Sequence, residues 1–165
     1  MQTPAEKEAF LQLIEDNKAI IYKVCHSYCK SRADHEDLAQ EILYQLWRSA
    51  ARYDANQRFS TWMYRIALNV AISFYRKSAR SNTVSLTGEE EFIADHNGEE
   101  DEDLRRLQTF IHGLKELEKA LMLLYLESHS YREIAGILGI TETNVATSIG
   151  RIKEKLKQKF LNAKK

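Results

Sequence analysis

The sequence predicts an all-α protein: two small helical domains joined by an acidic flexible linker, the second domain a helix-turn-helix. Three observations lead there. Apolar residues recur at intervals of three and four along most of the chain, the period of a helix face. The 165 residues include one proline and six glycines, so long elements run uninterrupted. Strand signals are missing: no alternating β-branched run and no Asn-Gly hairpin occurs.

The first domain, residues 1–80, carries three helical patterns. Phe10, Leu13, Ile14, Ile21, Val24, Cys25 and Tyr28 repeat at helical spacing and make the first. A second helix opens at Asp34, with Asp37 three positions on, an acidic start that suits the positive end of a helix dipole. Leu38, Ile42, Leu46 and Ala50 line its buried face. The polar loop RYDANQRF follows, with aromatic residues near both ends. The third helix runs from about Ser60 to Arg80, with Trp62, Ile66 and Val70 inward and Phe74 continuing the series.

Residues 81–103 read as a linker. The acids Glu89, Glu90, Glu91, Asp95, Glu99, Glu100, Asp101, Glu102 and Asp103 meet no Lys or Arg there, and like charges extend a chain. The second domain, 104–165, opens with an amphipathic helix around Glu116–Leu126, on which Leu117, Leu121, Leu124 and Tyr125 share a face. Tyr131, Ile134, Ala135 and Leu138 form the next stripe. Gly139 follows, where a helix end needs positive φ, and Ile140 plugs the turn. Thr141 is a suitable N-cap for a last helix whose inner face is Val145, Ile149, Ile152 and Leu156. Two short helices around a glycine turn form a helix-turn-helix, whose second helix enters the DNA major groove. Glu142, Thr143, Ala146, Thr147, Ser148 and Arg151 face outward there, and most are short polar groups suited to base edges and phosphates.

Net charge is zero, with 24 basic and 24 acidic residues, which is unexpected for a DNA binder. The charges are segregated. Residues 60–85 carry Arg65, Arg76, Lys77 and Arg80 and no acid, and from Arg151 onward only Glu154 opposes a run of lysines. No apolar stretch is long enough to span a membrane, and the N-terminus lacks the basic-then-apolar build of a signal peptide, so a cytoplasmic location without membrane insertion is expected. Cys25 and Cys29 lie four apart near His26 and His35. That is a weak metal pattern, and partly buried thiols are expected, with no metal and no cofactor. Asp34, Glu36, Asp37 and Glu41 spread around a helix rather than converge, and no phosphate loop or H-E-x-x-H completes a catalytic site, so an enzyme is not expected. A duplex-binding regulator accounts for residues 104–165 but not for the first domain.

Three segments together carry a family resemblance: DHEDLAQEILYQLWRSAARYD, FSTWMYRIALNVAISFYRKSAR, and the stretch from LKELEKALMLLYLES through GITETNVATSIGRIKEKLK. They resemble successive regions of an extracytoplasmic-function sigma factor of the sigma-70 family, a small class of bacterial RNA polymerase specificity subunits. The resemblance implies a factor that binds core RNA polymerase and directs initiation at promoter DNA. It would read minus-ten and minus-thirty-five elements and be held in check by an anti-sigma factor.

Carried over residue by residue, the resemblance assigns the core-polymerase contact to Asp34, Asp37, Gln40 and Glu41, whose acids complement a basic partner. Trp47 either packs in the core or anchors that interface. Minus-ten recognition falls to Tyr53, Asn56, Phe59 and Ser60 as a base pocket and to Tyr64, Arg65, Asn69, Arg76 and Lys77 along the helix. Minus-thirty-five recognition falls to Thr141, Glu142, Thr143, Asn144, Thr147, Ser148, Arg151, Lys153 and Lys155. Many relatives place basic residues near Ala146 and Ser148, and here phosphate grip shifts to Arg151, Lys153 and Lys155. The acidic linker is either a spacer or a mimic of an RNA backbone in the polymerase's exit path.

Overall fold

A computed structural model describes residues 3–81 and 101–163. Among these residues the regular elements are eight α-helices and one 3-10 turn. The chain divides into two compact units, Met1–Ala94 and Asp95–Lys165. No helix among the described residues is long and apolar enough to cross a membrane.

The first unit begins with two helices where the periodicity predicts one, α1 (Pro4–Asp16) and α2 (Lys18–Tyr28). Thr3 and Glu6 form a reciprocal capping box ahead of α1, and Pro4 sits where its missing N–H costs nothing. Asn17 makes the break. Its side-chain amide donates to the Leu13 carbonyl at 2.8 Å, replacing a backbone bond and letting the chain change direction. The next helix, α3 (Arg32–Arg48), starts two residues before the expected Asp34, because the Ser31 hydroxyl accepts from the Asp34 N–H at 3.1 Å. Its stripe of Leu38, Ile42 and Leu46 is fully buried. After the 3-10 turn Ala50–Arg52 comes α4 (Phe59–Ser81), packed against both α2 and α3.

The buried face of α4 differs from the expected one. Trp62 is inside, but Ile66, Val70 and Phe74 are only half-buried, and Met63, Tyr64, Ala67, Leu68 and Ala71 fill the core instead. Ala67 and Ala71 let the helices approach closely, yet their small side chains carry little hydropathy signal. Cys25 and Cys29 are buried free thiols, and burial pushes the Cys25 thiol up to about 12.

The second unit contains α5 (Glu102–His112), α6 (Glu116–Leu126), α7 (Tyr131–Leu138) and α8 (Glu142–Ala163). Helix α5 is absent from the sequence reading, and it takes up the end of the expected linker. Asp101 caps it through the Asp103 N–H at 3.1 Å, and Arg106 pairs with Glu102 at 3.0 Å. Three acids of the acidic run therefore stabilise a helix start. The rest of the linker reading, on residues 82–100, lies outside the described residues. The core joins Leu121 and Leu124 of α6, Ile134 and Ile137 of α7, and Val145, Ile149 and Ile152 of α8, all at most 4% exposed. Leu117, expected inside, is 39% exposed.

Candidate nucleic-acid interface

The first unit offers a loop and a helix face. In the loop between the 3-10 turn and α4, the Gln57 N–H donates to the Asp54 carbonyl at 2.9 Å and the Asn56 N–H to Asp54 Oδ1 at 3.0 Å. Asp54, Ala55, Asn56 and Arg58 are exposed. Beneath them lies an aromatic base. Phe59 meets Trp62 at 5.5 Å and Phe10 of α1 at 5.8 Å, and Phe10 reaches Trp62 at 6.0 Å. The two edge-on pairs, both with Phe10, each add about 0.5–1.5 kcal/mol beyond area burial.

Four residues expected to form a base pocket here thus separate. Asn56 is at the exposed tip. Ser60 is half-buried in the first turn of α4. Phe59 is 7% exposed and belongs to the aromatic base, a correction to its expected place in that pocket. Tyr53 is half-buried, its hydroxyl donating to the Gln57 carbonyl at 2.9 Å. Tyr64, expected along the DNA-facing side of α4, is 3% exposed. It is a core residue, because the rotated inner face of α4 carries it inward. Arg65, Asn69, Arg76 and Lys77 do lie outside, and with Ser73 they make one exposed polar stripe at helical spacing.

Helix α3 presents two strips. Asp34, Asp37, Glu41 and Gln45 line an open groove of about 780 Å³ whose other wall is Asn69, Val70, Ser73, Phe74 and Lys77 of α4. The sites expected to contact polymerase and DNA are therefore two walls of one groove. Gln40 sits on the second strip, with Leu43, Tyr44 and Trp47, which are 42%, 57% and 41% exposed. Trp47 makes an edge contact with Phe10 of the core at 6.0 Å. Leu43 and Tyr44 escaped the sequence reading. Their signal was available: both are large and apolar, and both fall outside the Leu38–Ile42–Leu46 stripe.

In the second unit α7 ends as expected. Gly139 has φ +70°, and the Gly139 and Ile140 N–H groups both donate to the Ala135 carbonyl. The Thr141 hydroxyl accepts from the Asn144 N–H at 3.1 Å, so this expected DNA contact is occupied in capping α8. Glu142, Thr143, Asn144, Ala146, Thr147 and Arg151 are exposed, and Ser148 is half-buried. His129 lies 3.0 Å from Glu133 in the corner between α6 and α7, and that contact holds the Glu133 carboxyl below its ordinary value.

The three cations expected to grip phosphate are not equivalent. The Lys155 ammonium pairs with Glu118 of α6 at 3.2 Å. Lys153 lies 4.4 Å from the ring centroid of Tyr125, also on α6, and hydrogen bonding to that phenol raises its pKa. Both flank the buried stripe of α8 and bind it to α6. Arg151 points from the outer face and has no ion pair among the described residues. No group of His, Cys, Asp and Glu among the described residues is arranged to hold a metal ion.

Comparison with known proteins gives one family match in each unit. The family described as Sigma-70 region 2 matches residues 13–81, and Sigma-70, region 4 matches residues 104–156. The chain is 29% identical to the ECF RNA polymerase sigma factor SigW of Bacillus subtilis, over 94% of this chain and 90% of that one. It is 28% identical to the ECF RNA polymerase sigma-E factor of Haemophilus influenzae, over 94% and 89% of the two chains. Among solved structures, the Bartonella quintana sigma factor RpoE, solved with the anti-sigma factor NepR, superposes with a TM-score of 0.71 at 21% identity, over 94% of this chain and 96% of that one. CnrH, solved with the cytosolic domain of CnrY, superposes at 0.67 with 23% identity, covering 96% and 91%. These two share the fold. Sigma factors are DNA-binding transcription initiation factors rather than enzymes. Matched over both units and in the same order, the chain belongs to the extracytoplasmic-function sigma factors of the sigma-70 family.

Proposed function

We propose that this protein binds core RNA polymerase in the cytoplasm and directs initiation at its own set of promoters. The first unit reads the minus-ten element and helps open it, and the second reads the minus-thirty-five element. The observation that carries this reading is the exposed stripe Arg65–Asn69–Ser73–Arg76–Lys77. It lies on the helix that directly follows the exposed loop residues Asn56 and Arg58, and it contains no acid. A strand held by backbone-tracking cations beside a rigid loop is what capture of unpaired DNA requires. The acids Asp34, Asp37 and Glu41 would meet a basic polymerase surface, and the apolar strip Leu43, Tyr44 and Trp47 supplies the desolvated centre that a stable protein interface needs.

On the second unit, Glu142, Thr143, Asn144 and Thr147 would reach base edges, and Arg151 a phosphate. Each unit alone offers a small DNA contact. Polymerase, by fixing their spacing, turns two weak readers into one specific one. The solved relatives RpoE and CnrH are each bound to a partner. An anti-sigma factor covering the same faces would keep this chain inactive. The acids between the units act as a spacer or as an RNA-backbone mimic, and transcription by a charge-neutral linker variant separates the two.

The test is in vitro transcription with purified core polymerase on a promoter library, with and without the protein. Discrete start sites that depend on the protein establish the reading and reveal both elements. No new start sites, together with tight binding of the isolated protein to duplex DNA, would replace it with a free-standing regulator.

A further inference from the structure

We propose that Tyr53 is a positioning residue that holds the loop 54–58 pre-formed for the promoter strand and does not itself contact DNA. This rests on the reading that the loop faces the minus-ten strand. Tyr53 joins the aromatic base to the loop's backbone. Its ring centroid lies 5.3 Å from that of Phe59 and 5.1 Å from that of Trp62, both 7% exposed, and Phe10 backs these two from α1. Its hydroxyl donates to the Gln57 carbonyl at 2.9 Å. A phenol has one proton to give, and this one is given to the loop.

The loop needs such a clasp. It begins beyond the 3-10 turn and ends where α4 starts, with the Trp62 N–H donating to the Arg58 carbonyl at 3.2 Å. Between those ends, Asp54 closes one side by accepting from the Gln57 and Asn56 N–H groups. The Gln57 carbonyl accepts from the Tyr53 hydroxyl, which closes the other side. With both sides closed, Asn56 and Arg58 are displayed on a fixed frame, and a bound strand does not have to supply the cost of ordering them.

The variant Tyr53→Phe keeps the ring and deletes only the clasp. The full chain, assembled with core polymerase, is titrated with a single-stranded oligonucleotide carrying the minus-ten region of a start site mapped by transcription. A panel of single-base changes in that oligonucleotide is titrated alongside. The expected result is a loss of roughly three- to tenfold in affinity, the worth of one hydrogen bond. The loss should be equal for the parent oligonucleotide and every variant, so base preference stays unchanged. Hydrogen exchange across 54–58 in the free chain should quicken without any DNA, while affinity for core polymerase holds. Asp54→Ala should give a similar loss, and the double variant should lose less than the product of the two.

A loss confined to one base position would overturn the proposal and make Tyr53 a reader. Wild-type affinity together with wild-type exchange in Tyr53→Phe would overturn it as well. If the wild-type holoenzyme bound none of these oligonucleotides, the promoter reading would fall, and this assignment with it.

Discussion

The two surfaces proposed to meet nucleic acid are built in opposite ways. The second unit uses a regular helix: Val145, Ile149 and Ile152 are buried, and the residues between them face out. Its inside and outside are two sides of one periodic pattern. The first unit uses a loop standing on buried aromatics and a helix that packs against two others, with a broad inner face that includes Tyr64, Ala67 and Ala71. There, residue type is a poor guide to direction. An aromatic residue beside a basic one looks like DNA contact on either surface, but only exposure separates Tyr64 from Arg65. A periodic helix can thus be read for function from its sequence, whereas a helix enclosed on several sides has to be seen packed.

The sharpest way to break this comparison is at the two cores. Leu68→Ala in the first unit and Ile149→Ala in the second each remove a fully buried branched side chain. Each should cost about 2–5 kcal/mol, read by chemical denaturation of the full chain. A much smaller cost at Leu68 would mean that the inner face of α4 is not the one described. Gly139→Ala places a side chain at φ +70° with open space around it, so only backbone strain opposes it. The expected cost is about 1–2 kcal/mol in the same assay, with loss of minus-thirty-five binding.

Promoter binding against salt concentration sharpens the contrast among cations. Arg151→Ala should reduce the slope of log K against log salt by about one unit, the change expected for the phosphate contact proposed for it. Lys153→Ala and Lys155→Ala should change the slope less and weaken the packing of α8 on α6, since these ammonium groups already sit on Tyr125 and Glu118. Equal slopes for all three variants would return the lysines to the DNA face. On the first unit, Tyr64→Phe should lower the melting temperature and leave promoter preference unchanged, while Arg65→Ala should do the reverse.

The smallest effect concerns pH. Glu133 has its carboxyl held below the ordinary value, chiefly by His129. A group with a depressed folded pKa adds stability above its unfolded pKa and loses it as pH falls through the folded one. The α6–α7 corner should therefore loosen as pH drops below the ordinary carboxylate range, seen as lower hydrogen-exchange protection factors, relative to the intrinsic rate at each pH, in residues 127–133. Glu133→Gln should remove that pH dependence, and a wild-type pH profile in this variant would place its cause elsewhere.

Most of the second unit was legible in advance. The range Glu116–Leu126, the turn glycine at 139, the cap at Thr141 and the inner stripe of α8 all follow from short-range rules of spacing, backbone freedom and capping. The exception is α5. Its acids read as a repelling run, yet Asp101, Glu102 and Asp103 sit at a helix start, where negative charge is favourable. In the first unit the buried stripe of α3 was equally plain. The break at Asn17 was not, because one side-chain amide bonding to the Leu13 carbonyl decided it.

The sequence by itself determined the helical class, the helix-turn-helix and the segregation of charge, because each depends on residues close together in the chain. Only the tertiary structure decided which side of α4 is inside, that Phe59 and Tyr64 support rather than face the solvent, and that Lys153 and Lys155 are tied to α6. Those outcomes depend on contacts between residues far apart in sequence, where close packing and the pairing of charges settle which side chains stay free to meet a partner.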